Sequence, residues 1–175
     1  MLSISKIETG SLAIDRQRVR LHDLLQDAFD ACARAGKEKN IQFSIDMPRE
    51  ISPVALDKSL MRVAINNLLT NAIKYSDPGG QVSMTVEETD TTVRVAVRDN
   101  GVGISPEDQE KIFDKFFRSE SDAVRQRTGH GLGLPLAREI IQLHHGTLKV
   151  NSVPGEGSEF MVEFNKETNL LKKAV

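Results

Sequence analysis

The stretch Asn66-Asn67-Leu68-Leu69-Thr70-Asn71-Ala72-Ile73-Lys74-Tyr75-Ser76 sets amides, a lysine and a phenol into an otherwise apolar run. On a helix, Asn67, Asn71, Lys74 and Tyr75 stand at i, i+4, i+7 and i+8 and share one face. Leu60, Val63, Ala64, Ile65, Leu68, Leu69, Ala72 and Ile73 supply apolar surface around most of the remainder, so the helix is expected to be buried. Buried amides need partners. Either asparagine alone could serve nearby backbone, and that reading stays open. The stripe as a set points to a ligand, with oxygens for a hard cation, an ammonium for phosphate and a ring for a base.

Composition narrows the class. The 175 residues suit one domain with a substantial core, and 39% hydrophobic with 27% charged residues argues against disorder. The formal net charge of -2 predicts no general attraction to nucleic acid. Cys32, the only cysteine, excludes an internal disulfide and agrees with a reducing compartment; on an apolar helix face it reads as core. No run has the length of a membrane span.

Outward from the central stretch, Asp57 is the expected N-cap, and Ser76-Asp77-Pro78-Gly79-Gly80 supplies the stop. Upstream, Met1 to Thr9 reads as the last turns of a longer helix halted at Gly10, and Ser11 to Arg20 as a short strand. Leu21 to Ala35 carries helical spacing and Gly36 is expected to close it. Ile41 to Met47 alternates as a half-buried strand, and Pro48 and Pro53 mark a loop. Downstream, Val82 to Glu87 and Thr92 to Arg98 predict an antiparallel hairpin. It ends in Asp99-Asn100-Gly101-Val102-Gly103-Ile104, where backbone can approach a ligand and a carboxylate can accept from it; a simple turn fits equally well.

Ser105-Pro106-Glu107-Asp108 opens a short helix, expected to reach Ile112 and to deliver Phe113, Phe116, Phe117 and Arg118. Ser119 to Thr128 is polar and reads as a mobile loop. Gly129-His130-Gly131-Leu132-Gly133-Leu134 then leads into a helix over Pro135 to His144, an arrangement that offers backbone N–H groups to phosphate. It has neither the Gly-Lys-Ser/Thr ending of a P-loop nor the preceding strand of a Rossmann fingerprint. Gly146 to Asn151 and Ser158 to Phe164 form a last pair of strands, with Lys166 to Val175 as a tail.

These stretches, in this order, resemble the catalytic and ATP-binding domain of a bacterial sensor histidine kinase, a branch of the GHKL superfamily with the Bergerat fold. Asn67 to Tyr75 resembles the N box, Asp99 to Ile104 the G1 box, Phe113 to Arg118 the F box and Gly129 to Leu134 the G2 box. The resemblance covers about Val19 to Phe164. It implies a two-layer α/β sandwich, a mixed five-stranded sheet covered by three main helices, with an ATP lid between Arg118 and Gly129. The expected division is a dimerisation-helix end and linker at 1–10, the catalytic domain at 11–165 and a tail at 166–175.

The resemblance also implies roles. ATP and Mg²⁺ are the expected cofactors, with Asn71 giving its oxygen to the metal and Asn67 ordering groups near the γ-phosphate. Lys74 and Arg118 would contact phosphate, Tyr75 would pack near the base or sugar, and Asp99 would accept from the adenine amino group. Gly101, Gly103 and Ile104 would let the base lie close; His130, Gly131, Leu132, Gly133 and Leu134 would cradle phosphates. Where related ATPases carry a water-activating glutamate, four residues before the metal asparagine, this chain has Asn67, which favours phosphoryl transfer over hydrolysis. His130 departs from the usual Thr or Ser and is expected to offer mainly its backbone, while His144 and His145 are expected to serve a helix end.

His22 matches no phosphoacceptor motif, so the receiving histidine is expected on a dimerisation domain outside this chain, with a response regulator downstream. Phe113 and Phe116 are candidates for docking that domain. The expected setting is cytoplasmic, without nucleic acid or direct membrane contact, an expectation that leaves room for a parent protein anchored in a membrane elsewhere. The 175-residue chain is expected to be monomeric and the full kinase a homodimer. The rival class is a nucleotide-sensing module that binds without transferring phosphate.

Overall fold

The computed structural model describes residues 13–121, 124 and 131–166. The expectations for Met1 to Gly10, for His130, for most of the lid and for the tail beyond Lys166 lie outside these residues.

Five strands form one mixed sheet in the order β2-β4-β5-β7-β6: β2 (Gln42–Asp46), β4 (Gln81–Glu88), β5 (Thr92–Asp99), β7 (Gly157–Asn165) and β6 (Thr147–Val153). Only β2 runs parallel to its neighbour, β4; the other pairs are antiparallel. The alternating residues Val82, Met84, Val86, Val93, Val95, Val97, Phe160, Val162 and Phe164 are all buried. The helices α1 (Leu21–Gly36), α2 (Lys58–Tyr75) and α4 (Gly133–Leu143) pack against this core, giving the expected two-layer sandwich of sheet and three main helices. A second, two-stranded sheet pairs β1 (Gln17–Val19) antiparallel with β3 (Val54–Leu56).

α2 lies at the centre. Its residues Leu60, Met61, Ala64, Ile65, Leu68, Leu69 and Ala72 are buried. The Asp57 carboxylate accepts from the Ser59 and Leu60 N–H groups at 3.0 Å, the cap expected from sequence. At the other end, the Lys39 ammonium donates to the Ile73 and Lys74 carbonyls at 3.1 and 3.3 Å. This places a positive charge on the negative end of the helix.

The structure corrects several boundaries. Gly36 does not close α1 in a left-handed turn: its φ is -74°, a 3₁₀ turn follows over Lys37–Lys39, and Asn40 takes the left-handed position at φ 55°. Gly36 is small for another reason, because a Cβ there would lie 2.3 Å from the Phe43 ring. The strand read over Ser11 to Arg20 shrinks to Gln17–Val19, and its partner β3 was hidden in the Pro53 loop. The helix after Ser105, α3, ends at Gln109 and continues as turns, while α4 begins two residues earlier than expected, at Gly133.

Candidate nucleotide site

A cleft of about 1110 Å³ is lined by the end of α2, by residues of the Asp99–Ile104 loop, by residues of the Ser105–Ile112 stretch that follows it, by the Phe116–Arg118 segment and by Gly131–Pro135 at the start of α4. Asp99 sits at the end of β5, only 5% exposed. Its Oδ1 accepts from the Gly101 N–H at 2.9 Å, and the Ser158 N–H also donates to the carboxylate. These bonds do not offset desolvation, and burial pushes the carboxyl up to about 6. A buried carboxyl that lines a cleft is a directed acceptor.

The loop after Asp99 needs its glycines for contact. A Cβ on Gly101 would stand 2.2 Å from the Tyr75 carbonyl oxygen, and one on Gly103, at φ 69°, 2.0 Å from that of Val153. Tyr75 accepts from the Val102 N–H at 3.1 Å, so the loop is laced to the end of α2. Asp99, Gly103, Ile104, Asn71, Lys74 and Tyr75 all line the cleft, and the Lys74 ammonium lies 4.6 Å over the Tyr75 ring. Gly101 does not line it and acts as the spacer beneath.

The opposite wall is the start of α4. Among the described residues no side chain caps its first N–H groups, and Gly131, Leu132, Gly133 and Leu134 line the cleft, so the positive end of the helix faces it. Gly131, at φ 68°, accepts from the Phe116 N–H at 3.1 Å, and Phe116 itself is held at φ 63°. That leaves the Phe116 side chain 73% exposed at the rim. Arg118 lines the cleft and donates to the Val124 carbonyl at 3.2 Å.

Asn67 stands apart. Its Nδ2 donates to the Val63 carbonyl at 3.0 Å, and its Oδ1 lies 2.8 Å from where a Cβ of Gly133 would be, so it seats α4 against α2 rather than lining the cleft. His144 is also structural: fully buried, it donates from Nδ1 to the Ile140 carbonyl at 2.7 Å and accepts at Nε2 from the Asp57 N–H at 3.0 Å. Sequence reading missed Ser158 and Lys111, which line the cleft. Gly157, where a Cβ would stand 2.0 Å from the Asp99 carbonyl oxygen, is the local signal that could have pointed to Ser158, whereas nothing local marks Lys111.

Residues 56–168 match the family described as histidine kinase-, DNA gyrase B-, and HSP90-like ATPase. The chain belongs to this ATPase family. Among similar relatives is the adaptive-response sensory kinase SasA of Rippkaea orientalis, 40% identical over 161 residues, which cover 91% of this chain and 41% of that protein. The chain thus spans about two fifths of the length of such relatives. The catalytic domain of histidine kinase ThkA superposes with a TM-score of 0.75 at 29% identity, covering 86% of this chain and 97% of that one. ThkA solved with the response regulator TrrA gives a TM-score of 0.75 at 26% identity, covering 94% of this chain and 46% of that one. The mixed sheet and its helices are therefore those of the histidine kinase catalytic domains within this ATPase family. Among the described residues, no helix is long and apolar enough to cross a membrane.

Proposed function

We propose that this chain is the ATP-binding catalytic domain of a two-component sensor histidine kinase, transferring the γ-phosphate of ATP to a histidine on a dimerisation domain. The observation that carries this reading is the buried Asp99 carboxyl on one side of a cleft whose far wall is the uncapped start of α4. A carboxyl acceptor and free backbone N–H groups lining one cleft suit a base and phosphates respectively.

Each residue then has a task. Asp99 accepts from the adenine amino group, and Gly103 and Ile104 lie along the base. Tyr75 packs near base or sugar. The N–H groups of the Gly131–Leu134 segment cradle phosphates, with Lys74 and Arg118 supplying positive charge. Asn67 keeps α4 and the phosphate cradle in register with α2, and through that seat orders the groups near the γ-phosphate.

Among the described residues no group of three His, Cys, Asp or Glu side chains could hold a metal. Magnesium does not need one when phosphates and water complete its shell, and the half-buried Asn71 on the cleft wall suits that role. When bound, Mg²⁺ supplies neutralisation of phosphate charge.

In the transfer, a ring nitrogen of the acceptor histidine forms a bond to the γ-phosphorus. The bond from that phosphorus to the β–γ bridging oxygen breaks, ADP leaves with the electron pair, and the ring's other N–H proton passes to solvent. Asn67 cannot serve as a carboxylate base for water, which favours the histidine as nucleophile. Phe116 at the rim is the contact offered to the acceptor domain, a response regulator is the next phosphate acceptor, and the setting is cytoplasmic with the full kinase a homodimer.

Calorimetric titration of ATP with and without Mg²⁺, followed by transfer of labelled phosphate to a supplied phosphoacceptor domain, tests this. Wild type should bind one ATP and label the acceptor, while Arg118→Ala binds but labels poorly. Equal inertness of both proteins, with ATP binding intact, would establish the nucleotide-sensing module instead.

A further inference from the structure

The far end of the Asp99–Ile104 loop rests on two side chains that do not themselves line the cleft, Gln109 and Ser152. Gln109, the last residue of α3, uses its Nε2 to donate to the Ile104 carbonyl and to the Ser152 carbonyl on β6, both at 2.9 Å. The Ile104 N–H donates to the Ser152 Oγ at 2.8 Å. Both polar groups of Ile104 are thus held by partners from other segments.

The Ser152 hydroxyl continues toward the carboxylate. It donates to the Gly157 carbonyl at 2.8 Å and lies 2.9 Å from the Ser158 Oγ. Ser158 is the residue whose N–H donates to Asp99. One hydroxyl therefore connects the wall formed by Ile104 to the strand position that orients the carboxylate. Gln109 suits its place because its amide carries two hydrogens for two carbonyls from different segments. Glutamate at neutral pH would offer none.

We propose that Gln109 and Ser152 are positioning residues that set the gap between Ile104 and Asp99, and so determine selectivity for a purine bearing the 6-amino group. The proposal rests on the assignment of Asp99 to adenine. It concerns a ratio of affinities, which general loosening of the fold would leave unchanged.

The test is calorimetry of the full chain with ATP and with purine riboside triphosphate, the same triphosphate without the amino group. Wild type should prefer ATP by about tenfold or more, the loss expected when a hydrogen bond to a buried charged group is missing. In Gln109→Met, affinity for ATP should fall about three- to tenfold with that for the analogue nearly unchanged, so the preference collapses. Ser152→Ala, which removes a single oxygen, should reproduce the collapse, and the double variant should lose less than the product of the two because both act through Ile104. Should Gln109→Met melt early, Ser152→Ala carries the same readout.

A preserved preference in both variants, or an equal fall for both ligands, overturns the clamp. Wild type that binds both ligands equally overturns the base assignment of Asp99 together with the clamp. Wild type that binds neither overturns the nucleotide-site reading itself, a different result from failure of the clamp alone.

Discussion

Asp99 shows how a single side chain can be chosen against stability. Burial pushes its carboxyl up from an ordinary 3.8 to about 6, so the folded state holds the proton more tightly than the unfolded chain. Stability is therefore greatest below the ordinary value and is lost as pH rises through about 6. The loss at neutral pH is about 3 kcal/mol. Asp99→Asn should recover part of it above pH 6 while weakening ATP about ten- to a hundredfold, read by denaturant melts and calorimetry. His144 works with the opposite sign. Burial pulls its ring below the ordinary 6.5, so stability is lost as pH falls below that value. The two trends oppose each other in mild acid, and Asp99→Asn should expose a steeper acid loss than wild type shows. Asp99 was legible in sequence from its place before Gly-x-Gly; its raised titration was not, because burial of the β5 end, paired there with β7, is a tertiary effect.

The helix ends show where local signals suffice. Asp57 is two and three residues from the N–H groups it caps, and the spacing alone revealed it. After α4, His145 takes φ 57°, and the Gly146 N–H donates back to the Ile141 carbonyl at 2.9 Å, a turn that glycine fits without strain. His145→Gly should raise stability by about 0.5–1 kcal/mol, measured by thermal or urea melts, since Arg16 keeps its 2.6 Å bond to the Leu143 carbonyl. Lys39, by contrast, reaches α2 across more than thirty residues, a pairing that no short pattern encodes. Lys39→Met should lower stability by about 1 kcal/mol, measured the same way, and should loosen the Lys74–Tyr75 end of the cleft.

Across the whole molecule, the ligand should act as a strut. The cleft is walled by α2, the β5 loop and α4, and a nucleotide touching all three binds the folded chain alone. ATP at about a hundred times its dissociation constant should therefore add about 2.7 kcal/mol to stability, seen as a raised melting temperature, and in Asp99→Asn the same concentration should add only about 0.4–1.4 kcal/mol. By itself the sequence determined α1, α2, the β4–β5 hairpin and the four stretches proposed to serve the nucleotide. Each depends on periodicity, caps and turn residues lying within a few positions of one another, such as Asn71, Lys74 and Tyr75 on one helical face. Only the tertiary structure decided the strand order, with β7 inserted between β5 and β6, the pairing of β1 with β3, and the brevity of α3. It alone set the seat of Asn67 against Gly133 and the Gln109–Ser152 support beneath Ile104. Those features join residues distant in the chain, and what selects them is the burial of the sheet and the pairing of polar groups enclosed with it.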